Sequence, residues 1–144
     1  MDLKQLYSQI IMEHSRSEEH KHELDGATAT ERGHNPSCGD DIKLSIRVAD
    51  GIIQEAAFTG HGCAISQAST SLMCELVEGV SVAKAKEQVE TFLGMIKGEI
   101  VDDDFLEEEL GDAVALKSIS VMPQRVKCAV LAWHTLGDML KNGA

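Results

Sequence analysis

The sequence predicts an α+β fold in which a small antiparallel sheet of about three strands comes early and is packed by helices that come later. Three observations predict it. Ile42, Leu44, Ile46 and Val48 alternate with polar residues and meet Asp50-Gly51, a two-residue hairpin turn, before residues 52–59 run back as the partner strand. Several other segments carry apolar residues at the three- and four-residue spacing of a helix face. The composition, 43% apolar and 26% charged over 144 residues, is that of an ordinary globular chain. A chain of this length buries roughly 70% of its unfolded surface in one core, so residues 1–144 read as a single domain.

Taken in order, Leu3, Leu6, Tyr7, Ile10 and Ile11 fall on one helical face behind Asp2 as N-cap, and this helix fades near His14. Residues 15–25 form a charged connector holding His20 and His22, and residues 27–32 suit a short strand before the hairpin. Beyond Gly60-His61-Gly62-Cys63, the residues Ile65, Ala68, Leu72 and Leu76 share a face. A second helix with Val82, Ala85, Val89, Phe92, Leu93 and Ile96 starts after Ser81 and stops at Gly98. Between residues 99 and 112, eight of fourteen positions are acidic and none is basic, which predicts a solvated loop or short surface helix, with an acidic docking edge as the alternative. Pro123 suits the first position of a last helix, whose stripe is Val126, Ala129, Val130, Trp133, Leu136 and Leu140.

The charge balance narrows the function. A formal net charge of −11 disfavours nucleic acid and anionic membrane surfaces as partners, and five aromatic residues are too few for a base-stacking platform. The longest apolar run, residues 128–133, is far short of the ~20 residues that span a bilayer. The N-terminus also lacks a basic region followed by an apolar stretch, so the expected location is the cytoplasm. In that reducing compartment, the four cysteines point to thiol chemistry or metal binding rather than disulfides.

Cys38 lies in the loop Asn35-Pro36-Ser37-Cys38-Gly39-Asp40 before the first hairpin strand, and Cys63 lies just after the second. Antiparallel pairing brings those two ends to one edge. Cys128 falls about 200° around its helix from Val126, opposite the apolar stripe, and in the opening turns, where the helix dipole favours a thiolate. Cys74, about 16 Å up the helix from Cys63, reads as structural. The candidate metal ligands are Cys38, Asp40, Cys63 and Cys128, a donor set that suits tetrahedral zinc. The alternative is dispersed cysteines with no shared site. His34 and His61 are rival ligands, although a solvent-facing ring is the expectation for them and, more strongly, for His14, His20, His22 and His134.

These residues resemble a known family, the U-type iron–sulfur cluster assembly proteins of the IscU/NifU N-terminal kind. The resemblance rests on Asn35-Pro36-Ser37-Cys38-Gly39-Asp40, on Gly60-His61-Gly62-Cys63-Ala64-Ile65-Ser66, on Ala68-Ser69-Thr70-Ser71 and on Arg125-Val126-Lys127-Cys128-Ala129. It covers nearly the whole chain and implies an antiparallel sheet packed by helices, with all three cysteines at one tip. The chain departs from the family's scaffolds in three ways. Lys127 stands where they have a histidine, Val121-Met122-Pro123-Gln124 does not reproduce their chaperone-recognition sequence, and the interval from Cys63 to Cys128 is longer. Together these departures resemble the SufU branch of zinc-bound sulfur acceptors.

That resemblance implies a zinc-dependent sulfurtransferase that docks on a SufS-like cysteine desulfurase, accepts persulfide sulfur on Cys38 and passes it to downstream iron–sulfur assembly machinery. The alternative it implies is a scaffold holding an iron–sulfur cluster transiently on Cys38, Cys63 and Cys128. Three thiolates, one carboxylate and Zn²⁺ leave a net charge of about −2, so Arg125 and Lys127 are expected to balance it. Asp40 is the harder and weaker donor for zinc, and Arg125, one turn before Cys128, is expected to receive its carboxylate if docking displaces it. Arg125 is thereby assigned a part in transfer.

Overall fold

A computed structural model of the chain describes residues 1–143. Its elements are α1 (Leu3–Arg16), β1 (Ala29–Asn35), β2 (Asp40–Ala49), β3 (Ile52–His61), α2 (Ala64–Val77), α3 (Val82–Ile96), α4 (Asp103–Leu110), a 3₁₀ helix (Gly111–Ile119) and α5 (Pro123–Lys141). The sheet is antiparallel with order β1-β2-β3, so the α+β expectation and the three strands are met. Asp2 accepts from the Gln5 amide while Gln5 reaches back to the Asp2 N–H, a reciprocal cap that starts α1 where expected.

The β2–β3 register pairs Asp41 with His61 and Ala49 with Ile52, with an irregularity at Arg47/Val48. Ile42, Leu44 and Ile46 turn inward and are buried, as their alternation requires. β1 is longer than the strand expected at 27–32. It runs on to Asn35, which pairs with Asp40, so residues 36–39 are the tip of a second hairpin rather than a loop leading into β2. The signal was weak because β1 is an edge strand whose residues are mostly polar, and only Gly33 is buried.

α2 departs further from its predicted stripe. Ala68 and Leu72 are buried, but so are Ser66, Gln67, Ser69, Thr70, Ser71, Met73 and Cys74, because α1, β3, α5 and the 3₁₀ helix surround this helix. The run of small side chains lets α5 come close. Ser69 Oγ donates to the Ala129 carbonyl at 2.5 Å and accepts from Trp133 Nε1 at 2.9 Å. Trp133 also stacks on Phe92 of α3, with ring centroids 3.9 Å apart and planes 5° from parallel. α2, α3 and α5 are thus locked into one body beneath the sheet.

α1 is held less firmly than its pattern suggests: Ile11 is buried, while Leu3 and Leu6 remain 60% and 44% exposed. The acidic segment becomes the short surface helix α4 and anchors itself through Leu106 and Leu110, both fully buried. Two of its carboxylates are paired, Asp103 with Lys117 and Glu109 with Lys84. The 3₁₀ helix, which no periodicity announces, buries Ala113, Val114, Ala115, Leu116 and Ile119. Among the described residues no helix is long and apolar enough to cross a membrane.

Candidate metal centre

Three chain segments deliver the cysteines to one place. The β1–β2 hairpin turns back with the Cys38 N–H donating to the Asn35 carbonyl at 3.2 Å. Its second strand opens with Asp40, which is fully buried. β3 ends at His61, and Cys63 then occupies the N-cap of α2 with extended backbone and no capping bond from its side chain, so the thiol stays free of the helix end. From the other side α5 presents Cys128 in its second turn.

Asp40 ties these pieces together. Its Oδ1 accepts from the Cys63 N–H at 2.9 Å, linking the start of β2 to the start of α2. Gly62 makes that approach possible: a Cβ there would lie 2.6 Å from Asp40 Oδ1. Gly33 plays the same part on the hairpin, since a Cβ on it would lie 2.5 Å from Thr135 Oγ1 of α5. Two missing side chains therefore let the hairpin and β3–α2 turn close over α5.

One donor atom each from Cys38, Asp40 and Cys128 lie within 4.8 Å of one another. Cys63 is not among them; it shares with Cys38 and Cys128 the wall of a depression of about 480 Å³, rimmed by Pro123, Gln124, Arg125 and Lys127. Cys38, half-buried at the hairpin tip, has Sγ 4.0 Å from the Gln124 carbonyl. Cys128 is only 2% exposed yet stands outside the hydrophobic cluster, so the prediction that it leaves the apolar stripe holds while its burial comes from the hairpin above. That burial, followed by its contacts with Cys38, Cys63 and Asp40, pushes the Cys128 thiol well above the usual range.

The donors suit a cation. Asp40 Oδ2 is buried without a hydrogen-bond partner, a costly arrangement for a carboxylate unless positive charge faces it. Three sulfurs and one carboxylate oxygen are the donors zinc accepts tetrahedrally. Arg125 and Lys127 are exposed beside the opening and form no ion pair among the described residues, so Arg125 does not touch Asp40 in this arrangement. His34 and His61 are exposed, and neither joins the donor cluster. Cys74 is fully buried in the hydrophobic cluster, where burial pushes its thiol up.

The histidines depart from expectation at two places. His20, expected in a polar connector, is 5% exposed, with Nδ1 3.3 Å from the Ala56 carbonyl. His14 is half-buried against α2. Both lie in segments rich in charge, which hides burial from a pattern based on apolar residues alone.

The family model described as the NifU-like N terminal domain matches residues 6–129. A Thermotoga maritima protein named iron-sulfur cluster assembly scaffold protein IscU is 41% identical over 142 residues, covering 99% of this chain and 97% of that one. The Bacillus subtilis zinc-dependent sulfurtransferase SufU is 36% identical over 135 residues, covering 94% of this chain and 89% of its own. The crystal structure of FiSufU from Fervidobacterium islandicum superposes with a TM-score of 0.86 at 34% identity, covering 96% of this chain and 99% of that one. The chain therefore belongs to the family of NifU-like N-terminal domains.

Proposed function

We propose that this protein serves iron–sulfur cluster assembly in the cytoplasm as a zinc-dependent sulfurtransferase, taking persulfide sulfur from a cysteine desulfurase and handing it to downstream assembly machinery. The observation that carries the reading is the buried Asp40, one oxygen fixed by the Cys63 N–H and the other unpartnered beside Cys38 and Cys128. Cys38, Asp40, Cys63 and Cys128 would hold the zinc. When bound, the metal supplies Lewis acidity that keeps its thiol ligands deprotonated.

The chain's own groups then account for transfer. The family resemblance assigns the nucleophile to Cys38, which is half-buried at a hairpin tip and lines the depression, as Cys63 also does, whereas Cys128 is covered. The Cys38 thiolate attacks the outer sulfur of the desulfurase persulfide; a new S–S bond forms on Cys38, and the desulfurase cysteine leaves as thiolate. No net oxidation occurs. Arg125, with no ion-pair partner at the rim, acts as a positioning residue that receives the Asp40 carboxylate when docking frees it.

A second reading has specific support. The Thermotoga maritima relative is named a scaffold protein and the Fervidobacterium islandicum structure is named as a candidate scaffold protein, and three thiols at one opening also suit a cluster as cargo. Lys127 in place of a histidine before the third cysteine favours the sulfurtransferase. Metal analysis of protein purified without chelator, followed by anaerobic reconstitution with iron and sulfide, separates the two. One equivalent of zinc and no stable, transferable cluster support sulfur transfer. Iron with sulfide at isolation, or a cluster that passes intact to apoproteins, overturns it in favour of the scaffold.

A further inference from the structure

Away from the cysteines, three metal-competent side chains from three different elements converge. They are His14 in the last turn of α1, Glu75 in α2 and Asp112 at the start of the 3₁₀ helix, and one donor atom of each lies within 4.8 Å of the other two. The imidazole is held in place: Nδ1 is 2.9 Å from Ser71 Oγ, on a side chain that is 1% exposed. A neutral imidazole that donates Nδ1–H to that hydroxyl keeps its lone pair on Nε2. Nε2 faces Glu75 Oε2 at 3.5 Å.

In the tautomer that donates Nδ1–H to Ser71, Nε2 offers its lone pair toward the Glu75 carboxylate, an arrangement that a cation between them satisfies. The spacing fits a cation: 3.5 Å is close to the edge of a tetrahedron whose metal–ligand distances are about 2.1 Å. A buried hydroxyl that fixes the other ring nitrogen is the usual support for a ligating histidine. Leu72, Leu76 and Leu110 border a depression beside Glu75 and Asp112, which lowers the local dielectric on that flank.

We propose that His14, Glu75 and Asp112 form a second divalent-cation site, separate from the cysteine centre, for a borderline ion of zinc's class with water in the remaining position. Its ligands come from α1, α2 and the 3₁₀ helix, so the bound ion cross-links three elements, among them α1, of which only Ile11 is buried. The competing description is a proton on Nε2 and a plain His14–Glu75 ion pair.

Cobalt(II) is the probe. It is added to the protein as isolated, with its tightly held metal left in place, and followed by absorption and equilibrium dialysis. The proposal predicts one further equivalent whose visible bands lack thiolate-to-metal charge transfer, and slower hydrogen exchange of the α1 amides once it binds. His14→Gln, Glu75→Gln and Asp112→Asn should each weaken that equivalent by at least about tenfold. The last two are exposed, near-isosteric changes that leave the fold intact. No further equivalent, one that carries thiolate charge transfer, or one undiminished in all three variants overturns the proposal and leaves the ion pair. Failure of the cysteine centre as a zinc site would remove a thiolate-bound equivalent and leave this one unchanged, so the two readings fail separately.

Discussion

At the scale of single residues, the cysteines differ by their surroundings and not only by their spacing. Cys74 is sealed in the core, so Cys74→Ala should cost about 1 kcal/mol of stability and leave zinc content and sulfur transfer intact. Cys38→Ser, Cys63→Ser and Cys128→Ser should each lose tightly bound zinc and transfer together, which metal analysis and a desulfurase turnover assay would check. Gly62 gives a sharper test, because its Cβ would enter Asp40 Oδ1 at 2.6 Å. Gly62→Ala should weaken zinc by about 10–100-fold, measured by chelator competition, although no ligand is changed. Arg125→Ala should keep zinc, since guanidinium is not a ligand, and lower desulfurase stimulation at saturating partner. Equal stimulation by the variant and the parent would reduce Arg125 to an exposed cation of little consequence.

At the scale of elements, the site depends on how closely α5 meets α2 and β1. Ser69→Ala leaves the Trp133 Nε1–H without its partner in a fully buried position and should cost about 1–3 kcal/mol, read from denaturant unfolding. The β2–β3 hairpin and α5 were legible because Asp50-Gly51 and a long apolar stripe each state one period without conflict. The meeting of Cys38 and Cys63 followed from antiparallel pairing alone, and β2–β3 register bears it out through Asp41 and His61. β1 and the inner face of α2 were not legible for related reasons. Their burial is carried by glycine, serine and threonine, which let other backbones approach but leave no hydrophobic period. α1 shows the converse, an apolar stripe of which Ile11 is buried while Leu3 and Leu6 stay exposed.

At the scale of the whole molecule, the hydrophobic cluster runs through the sheet, every α-helix and the 3₁₀ helix, so the candidate metal centre lies outside a core that is built without it. Removing zinc with a chelator should therefore lower the melting temperature while leaving a cooperative transition and unchanged helix content by circular dichroism. Loss of the folded state on chelation would recast the centre as a structural staple. The net charge of −11 belongs to this scale as well, with α4 displaying acidic side chains outward while Leu106 and Leu110 anchor it.

The central claim is that Cys38 receives sulfur, and one measurement meets it directly. The zinc-loaded protein is incubated with a cysteine desulfurase and free cysteine, exposed thiols and persulfides are alkylated, and peptide mass spectrometry locates the added sulfur. The account predicts a persulfide on Cys38, absent when desulfurase or cysteine is left out. A persulfide confined to Cys63 or Cys128, or none on any of the three while the desulfurase turns over, would contradict it.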